Sequence, residues 1–394
     1  MIIKEAKCIN INIPPRKKVL RTTPGWNTNA IRSRQIARYP EFTRVDLKGD
    51  RPGQTDKGWV KVTAEDGTYG LGQFAHGQLG APLINYFISP LIEGRDVFAI
   101  ELINDLIWRS NEEFQGGIAT AAQSGIDLAL WDLKGKLLEK PVYELIGGPS
   151  RKSLELYATG DDIEWMKELG FKRFKISNPF YYEEGSEGIA LLEHHVASCR
   201  DRAGENAELM INPVMSFNTD IALRVAERLK PYNLRWFEEP LPPWNLDGYI
   251  ELKQAISWTA IATGEHNYGR KSFQQLISKR AVDILQPDIE WSGGLSEVLK
   301  IYTYAEAAGI ETIPHTGANS PWGQHFGIAM PETSMGEWFL DTDIGEPVGN
   351  NLLPGVSAPI NGTILPSDAP GFGLEIPEDW IVDWNYKNQK RKIY

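Results

Sequence analysis

Leu234-Arg-Trp-Phe-Glu-Glu-Pro240 is a short apolar run that stops on a carboxylate, Glu238, two residues before a proline. It reads as a short strand with a polar residue at its C-terminal end. Working outward, the same pattern returns on both sides. Upstream, Glu208-Leu-Met-Ile211 stops on Asn212. Downstream, Ala260-Ile-Ala-Thr-Gly264 stops on Glu265, and Val282-Asp-Ile-Leu-Gln-Pro287 on Asp288. Glu311-Thr-Ile-Pro314 then stops on His315, and Met335-Gly336 on Glu337. The six polar residues stand 22 to 27 residues apart, about one strand, loop and helix each. A (β/α)₈ barrel has that period and gathers the C-terminal ends of its strands, where its chemistry sits, around one axis.

The rest of the chain sets the limits. Its 394 residues exceed one ordinary domain and suffice for a barrel with an appended domain. With 42% apolar and 24% charged residues and a mean hydropathy of −0.33, the composition is that of a globular protein. The net charge of −11 argues against a nucleic-acid partner, which needs a basic face. Cys8 and Cys199 are too few for a disulfide framework or a thiolate metal site. The N-terminus lacks the long apolar region of a signal peptide, and no uninterrupted apolar stretch approaches a membrane span. A cytoplasmic protein without membrane contact is expected.

Along the chain, Ile9, Ile11 and Ile13 alternate with Asn10 and Asn12 as in a half-buried strand. Residues 14–58 are rich in Pro, Gly, Arg, Asn and Asp and show little periodicity, so an irregular region is expected. A hairpin follows, with Glu65-Asp-Gly67 turning between Gly58–Thr63 and Thr68–Gly72. Residues 81–146 have helical apolar spacing up to the breakers Gly147-Gly-Pro149. The expected division is a capping domain over 1–135, a barrel over 136–345, and a tail over 346–394 that folds back on the cap.

Asn212, Glu238 and Glu265, from three successive strand ends, supply oxygen ligands for a hard dication. With few His and no suitable Cys at hand, Mg²⁺ (or Mn²⁺) is preferred to Zn²⁺. His315 suits a general base near neutral pH, and Asp288, one barrel unit earlier, is placed to fix its tautomer. Amide, carboxylates and imidazole in this order make an enzyme the expected class.

Several strings resemble the enolase superfamily in its mandelate racemase/muconate lactonizing enzyme-like branch, and most of all its L-rhamnonate dehydratase-like acid-sugar dehydratases. They are Leu156-Tyr-Ala-Thr-Gly160, Pro231 through Pro243, Thr263-Gly-Glu-His266, Gln286 through Gly294, Pro314-His315 and Pro370-Gly-Phe-Gly-Leu-Glu375. Asp127 through Lys136 also looks like the family. The likeness runs from about residue 60 to 376. It implies an α/β fold, a modified TIM (β/α)₇β barrel with an N-terminal α+β capping domain completed by the C-terminal tail. It implies Mg²⁺, one per subunit, on Asn212, Glu238 and Glu265. It also implies His315 as base with Asp288 behind it, and Glu337 hydrogen-bonded to the enolate. Lys175 would face the substrate carboxylate, and His266 would touch substrate. The implied reaction is dehydration of a sugar acid to a 2-keto-3-deoxy acid, in a homo-oligomer. By the same resemblance, specificity comes from cap loops, where Trp26, Asn27, Asn29 and Arg32 are candidates for substrate contacts.

Two departures from the family pattern stand out. Asn212 replaces the usual Asp, which removes one negative charge and leaves a catalytically impaired, metal- or sugar-acid-binding member as an alternative. Ser177, in Phe174-Lys-Ile-Ser177, stands where racemases of this branch carry a second lysine base. One base favours dehydration over racemisation or epimerisation, the other alternative.

Overall fold

The computed structural model describes residues 1–14, 26–39, 57–110, 115–340 and 353–385, without the side chains of Asn27, Thr28 and Ile31. The cap carries an antiparallel sheet of β1 (Ile3–Ile11), β2 (Gly58–Ala64), β3 (Tyr69–Phe74) and a fourth strand, introduced last, from the tail. Strands β2 and β3 form the expected hairpin, from the Gly58–Phe74 pair to the Thr63–Tyr69 pair. Gly67 closes it at φ +92°, a conformation costly for a residue with a Cβ. Against this sheet lies the long helix Gly117–Leu137, whose Ala122, Ile126, Ala129 and Leu133 pack with Val60, Val62 and Phe74.

The barrel is built from eight parallel strands: β4 (Leu154–Thr159), β5 (Arg173–Ser177), β6 (Glu208–Asn212), β7 (Trp236–Glu238), β8 (Ala260–Thr263), β9 (Ile284–Leu285), β10 (Glu311–Thr312) and β11 (Gly336–Phe339). From β4 to β10 each strand pairs with the next in the chain, and β11 returns to pair with β4. Helices such as Thr219–Leu229 and Leu295–Ala307 separate the strands, which gives the (β/α)₇β order. Apolar residues on those helices, among them Ile221, Val225, Leu229, Ile301 and Ala305, join Phe174, Ile211, Phe237 and Ile261 on the outer face of the sheet in one core. Inside the barrel, Tyr157, Met210, Trp236, Ala262, Ile284, Ile313 and Met335 make a second, smaller core. Tyr157 and Trp236 meet edge to face, with ring centroids 5.1 Å apart. They form the floor on which the polar strand ends stand.

The tail returns as expected. β12 (Thr363–Ile364) pairs with β4, and β13 (Ile381–Asp383) adds to the cap sheet beside β1. The expectation of an irregular 14–58 needs one correction, a helix over Trp26–Ser33 followed by a 3₁₀ turn over Gln35–Arg38. Its mean composition is polar, and what secures it is tertiary. Trp26 packs edge to face on Phe339 at the end of β11, and Asn29 Nδ2 donates to Asp161 Oδ2 at 3.0 Å.

Candidate active site

Alternation along the strands sets which side chains face the axis. Met210 and Trp236 are floor residues. Two positions further along each strand, on the same face, come Asn212 and Glu238, the last residues of β6 and β7. Lys175 of β5 and Glu337 of β11 join them in one buried layer. Glu265, Asp288 and His315 follow the ends of β8, β9 and β10. The structure therefore brings together all six of the polar strand-end residues, with Lys175 among them.

Glu238 is saturated by protein donors. Its Oε1 accepts from Lys175 Nζ and from Asn212 Nδ2 at 2.7 Å. Its Oε2 accepts from Trp236 Nε1 at 2.9 Å and from Gln286 Nε2 at 2.6 Å. The Asn212 oxygen is likewise engaged, accepting the Val214 amide at 2.6 Å. Lys175 also reaches Glu337 Oε1 at 2.9 Å. Burial works against its charge, but Glu238 and Glu337 outweigh burial and hold the ammonium protonated well above its ordinary range. Burial alone would raise Glu337; Lys175 and His315 instead hold it well below the usual carboxylate range. Glu337 accepts from Thr159 Oγ1 at 2.5 Å and from the Thr316 amide at 2.7 Å. It stands as an ionised acceptor of three donors.

His315 Nδ1 lies 2.8 Å from Asp288 Oδ2. An ionised carboxylate only accepts, so Nδ1 carries the proton and Nε2 turns toward the site, 3.6 Å from Glu265 Oε2. Burial opposes protonation of the ring, but Glu265 first and Asp288 next raise it to about 10, so the ring is charged while Glu265 stands uncompensated; a cation on Glu265 would offset that pull and free Nε2 to act as a base. His266 pairs through Nδ1 with Glu239 Oε2 at 2.9 Å. Trp291 stands between the two imidazoles, with centroids 5.5 Å from His266 and 5.2 Å from His315.

Glu265 differs from Glu238. It is buried, burial pushes its carboxyl upward, and among the described residues it forms no hydrogen bond, only ion-pair approaches from His315 and His266. The neighbouring Glu239 keeps one oxygen, Oε1, buried and without a partner. Carboxylate oxygens left in this way fit a dication, which would satisfy them.

The cap residues spread differently. Trp26 is buried beside the strand ends, whereas Arg32 turns to Glu184, 3.7 Å away, and is more than half exposed. The Asn27 side chain lies outside the described residues. Ser177 is tied to Asp161, donating its hydroxyl to Oδ2 at 2.5 Å and its amide to Oδ1 at 2.9 Å. Sequence reading missed Asp161, Glu239, Gln286 and Trp291. Glu239 sits beside a recognised strand end, which is a signal. The other three matter through partners far away in the chain.

A family model described as "Enolase C-terminal domain-like" matches residues 160–380, and one for the "Mandelate racemase / muconate lactonizing enzyme, N-terminal domain" matches residues 54–147. Among solved structures, rhamnonate dehydratase from Gibberella zeae complexed with Mg is 28% identical over 96% of this chain and 95% of that one, with a TM-score of 0.84. The 3,6-anhydro-D-galactonate cycloisomerase from Zobellia galactanivorans is 29% identical over 82% of this chain and 92% of that one, with a TM-score of 0.73. The cap, the (β/α)₇β barrel and the match over more than half the chain lead to one assignment: this chain belongs to the enolase superfamily, in its mandelate racemase/muconate lactonizing enzyme branch.

Proposed function

We propose that the chain is a hydro-lyase that removes the α-proton of a sugar acid of the aldonate type and expels the β-hydroxyl as water. The product is a 2-keto-3-deoxy acid. The observation that carries this reading is the single base. His315 presents Nε2 to the site with Asp288 behind it, while the position on β5 where a second lysine base would stand is Ser177, whose hydroxyl is given to Asp161. One base serves α-proton removal and, once protonated, returns that proton to the leaving hydroxyl on the same face.

The other groups take supporting roles. Lys175 spends two of its three N–H donors on Glu238 and Glu337 and keeps one for the substrate carboxylate. Trp26 and Trp291 supply apolar surface that keeps water from the reacting carbon. A divalent cation, Mg²⁺ or Mn²⁺, would be held at the strand ends with Glu265 as a ligand and would supply positive charge for the developing enolate. The Gibberella zeae dehydratase, solved with Mg, supports that part of the reading.

A panel of aldonic acids, L-rhamnonate included, tests the proposal by 2-keto-acid formation in a semicarbazide assay. Keto product is the expected result. Exchange of the α-proton in D₂O without keto product would place the chain with the epimerases. Silence on every acid, with metal still bound, would make it a binding protein.

A further inference from the structure

The turn that follows β9 carries Asp288, the partner of the proposed base. Asp288 Oδ2 meets His315 Nδ1, and Asp288 Oδ1 accepts the Glu290 amide at 2.7 Å. The Asp288 carbonyl accepts the Trp291 and Ser292 amides at 3.1 and 2.8 Å, which closes the turn. The direction of the Asp288 carboxylate, and with it that of the His315 ring, therefore depends on where residues 288–292 are held.

The cap holds them. Glu290 is only 6% exposed, a costly place for a carboxylate without partners. Its Oε2 takes Lys57 Nζ at 2.8 Å, and its Oε1 takes Lys57 Nζ and Trp322 Nε1, each at 3.1 Å. Lys57 stands just before β2, and its ammonium also donates to Gln73 Oε1 of β3 at 3.1 Å. Trp322, on the barrel helix Pro321–Ala329, packs edge to face on Trp59 of β2 and on Phe372 of the tail. Further along, the Gly293 amide donates to Ser124 Oγ of the cap helix at 2.9 Å. The cap thus grips this turn by an ion pair at Glu290 and by an amide hydrogen bond at Gly293.

We infer that Lys57 and Glu290 are positioning residues for the base. The cap's lysine fixes Glu290, Glu290 fixes the turn, and the turn aims Asp288 at His315. Neither residue touches the reacting atoms. The inference deepens the dehydratase reading and rests on it for turnover, but the aim of Asp288 is measurable without substrate.

Three variants test it, with Mg²⁺ present and folding checked by circular dichroism. E290Q keeps an oxygen for Trp322 and loses the charge, K57M loses the ammonium, and K57R keeps a cation. E290Q and K57M are expected to lower kcat on the aldonic acid that the wild type dehydrates by about tenfold or more, with KM changed by less than about twofold. K57R should restore most of that loss, since its guanidinium can pair with the same carboxylate. In the downfield proton NMR spectrum, the His315 Nδ1 proton, assigned by its absence in H315N, should broaden or vanish in E290Q and K57M and persist in K57R. Wild-type kcat in E290Q and K57M overturns the inference, as does a raised KM at unchanged kcat. A loss in K57R as deep as in K57M overturns it too, and so does an Nδ1 proton signal unmoved in both. If the wild type dehydrates no acid, the dehydratase reading fails and the NMR comparison alone decides this inference.

Discussion

The contrast between Glu238 and Glu265 shows how much neighbours decide. Both are buried carboxylates at the ends of adjacent strands, yet one accepts four hydrogen bonds and the other, among the described residues, has only the ion-pair approaches of His266 and His315. Lys175 supplies the charged one of these donors, its ammonium bridging Glu238 and Glu337, beside Asn212, Trp236 and Gln286. K175M should leave two buried carboxylates facing each other without a counter-charge, lowering stability by about 3–5 kcal/mol. Urea unfolding in the presence of EDTA measures this, and an unchanged midpoint would show that the ion pairs contribute nothing. H315N should lower turnover by at least about 10²-fold while the fold is kept, the range expected for loss of a general base. Undiminished α-proton exchange in that variant would exclude His315 as the base. Of these residues, His315, Asp288 and Glu265 were legible from their place after apolar runs. Asp161 and Gln286 were not, because nothing local marks a residue whose role is to accept from, or donate to, another strand.

Among the elements, the long cap helix Gly117–Leu137 does more than cover a sheet. Its Asp127 reaches the barrel helix Leu295–Ala307, accepting Ser296 Oγ at 2.5 Å and the Ser296 amide at 3.0 Å, and it also takes Asn104 Nδ2 at 2.6 Å. Gly294, at φ +88°, lets the chain come this close; a Cβ there would lie 2.4 Å from Asp127 Oδ2. D127A should strand these buried donors and lower stability by about 3 kcal/mol, read as a drop in the urea midpoint with little change in slope. If D127A unfolds like the wild type, the two helices are held by apolar packing alone. The sequence showed a helix here from its apolar spacing. That its polar residues bind a second domain is a fact of docking, invisible in a pattern that distinguishes only buried from exposed faces.

In the molecule as a whole, the short helix Val142–Leu145, the barrel helix Pro321–Ala329 and the tail meet at His325. Its Nδ1 accepts the Tyr143 amide at 3.1 Å, and its ring packs edge to face on Phe372 of the tail, 5.4 Å between centroids. Burial pushes its pKa down to about 3, so the folded ring stays neutral where a free one charges near 6.5. A depressed histidine contributes stability that is complete above about pH 6.5 and is lost as pH falls toward 3. By pH 5 the loss should reach about 2 kcal/mol. Urea midpoints at pH 7 and pH 5 should therefore separate more in the wild type than in H325Q. Equal separations would mean that His325 titrates freely. No helix among the described residues is long and apolar enough to cross a membrane.

The sequence by itself determined the barrel period, the hairpin, the cap helices and the ring of polar strand ends. It could do so because burial writes a regular spacing of apolar residues into any chain that forms strands and helices. Tertiary structure alone decided which carboxylates are neutralised and which are left without donors. It also gave the Trp26–Ser33 helix its anchors and brought Glu239 to His266. Those outcomes depend on distances between residues far apart in the chain, and on which donors one ammonium and its neighbours bring to the same oxygens. Spacing along a chain carries no record of either.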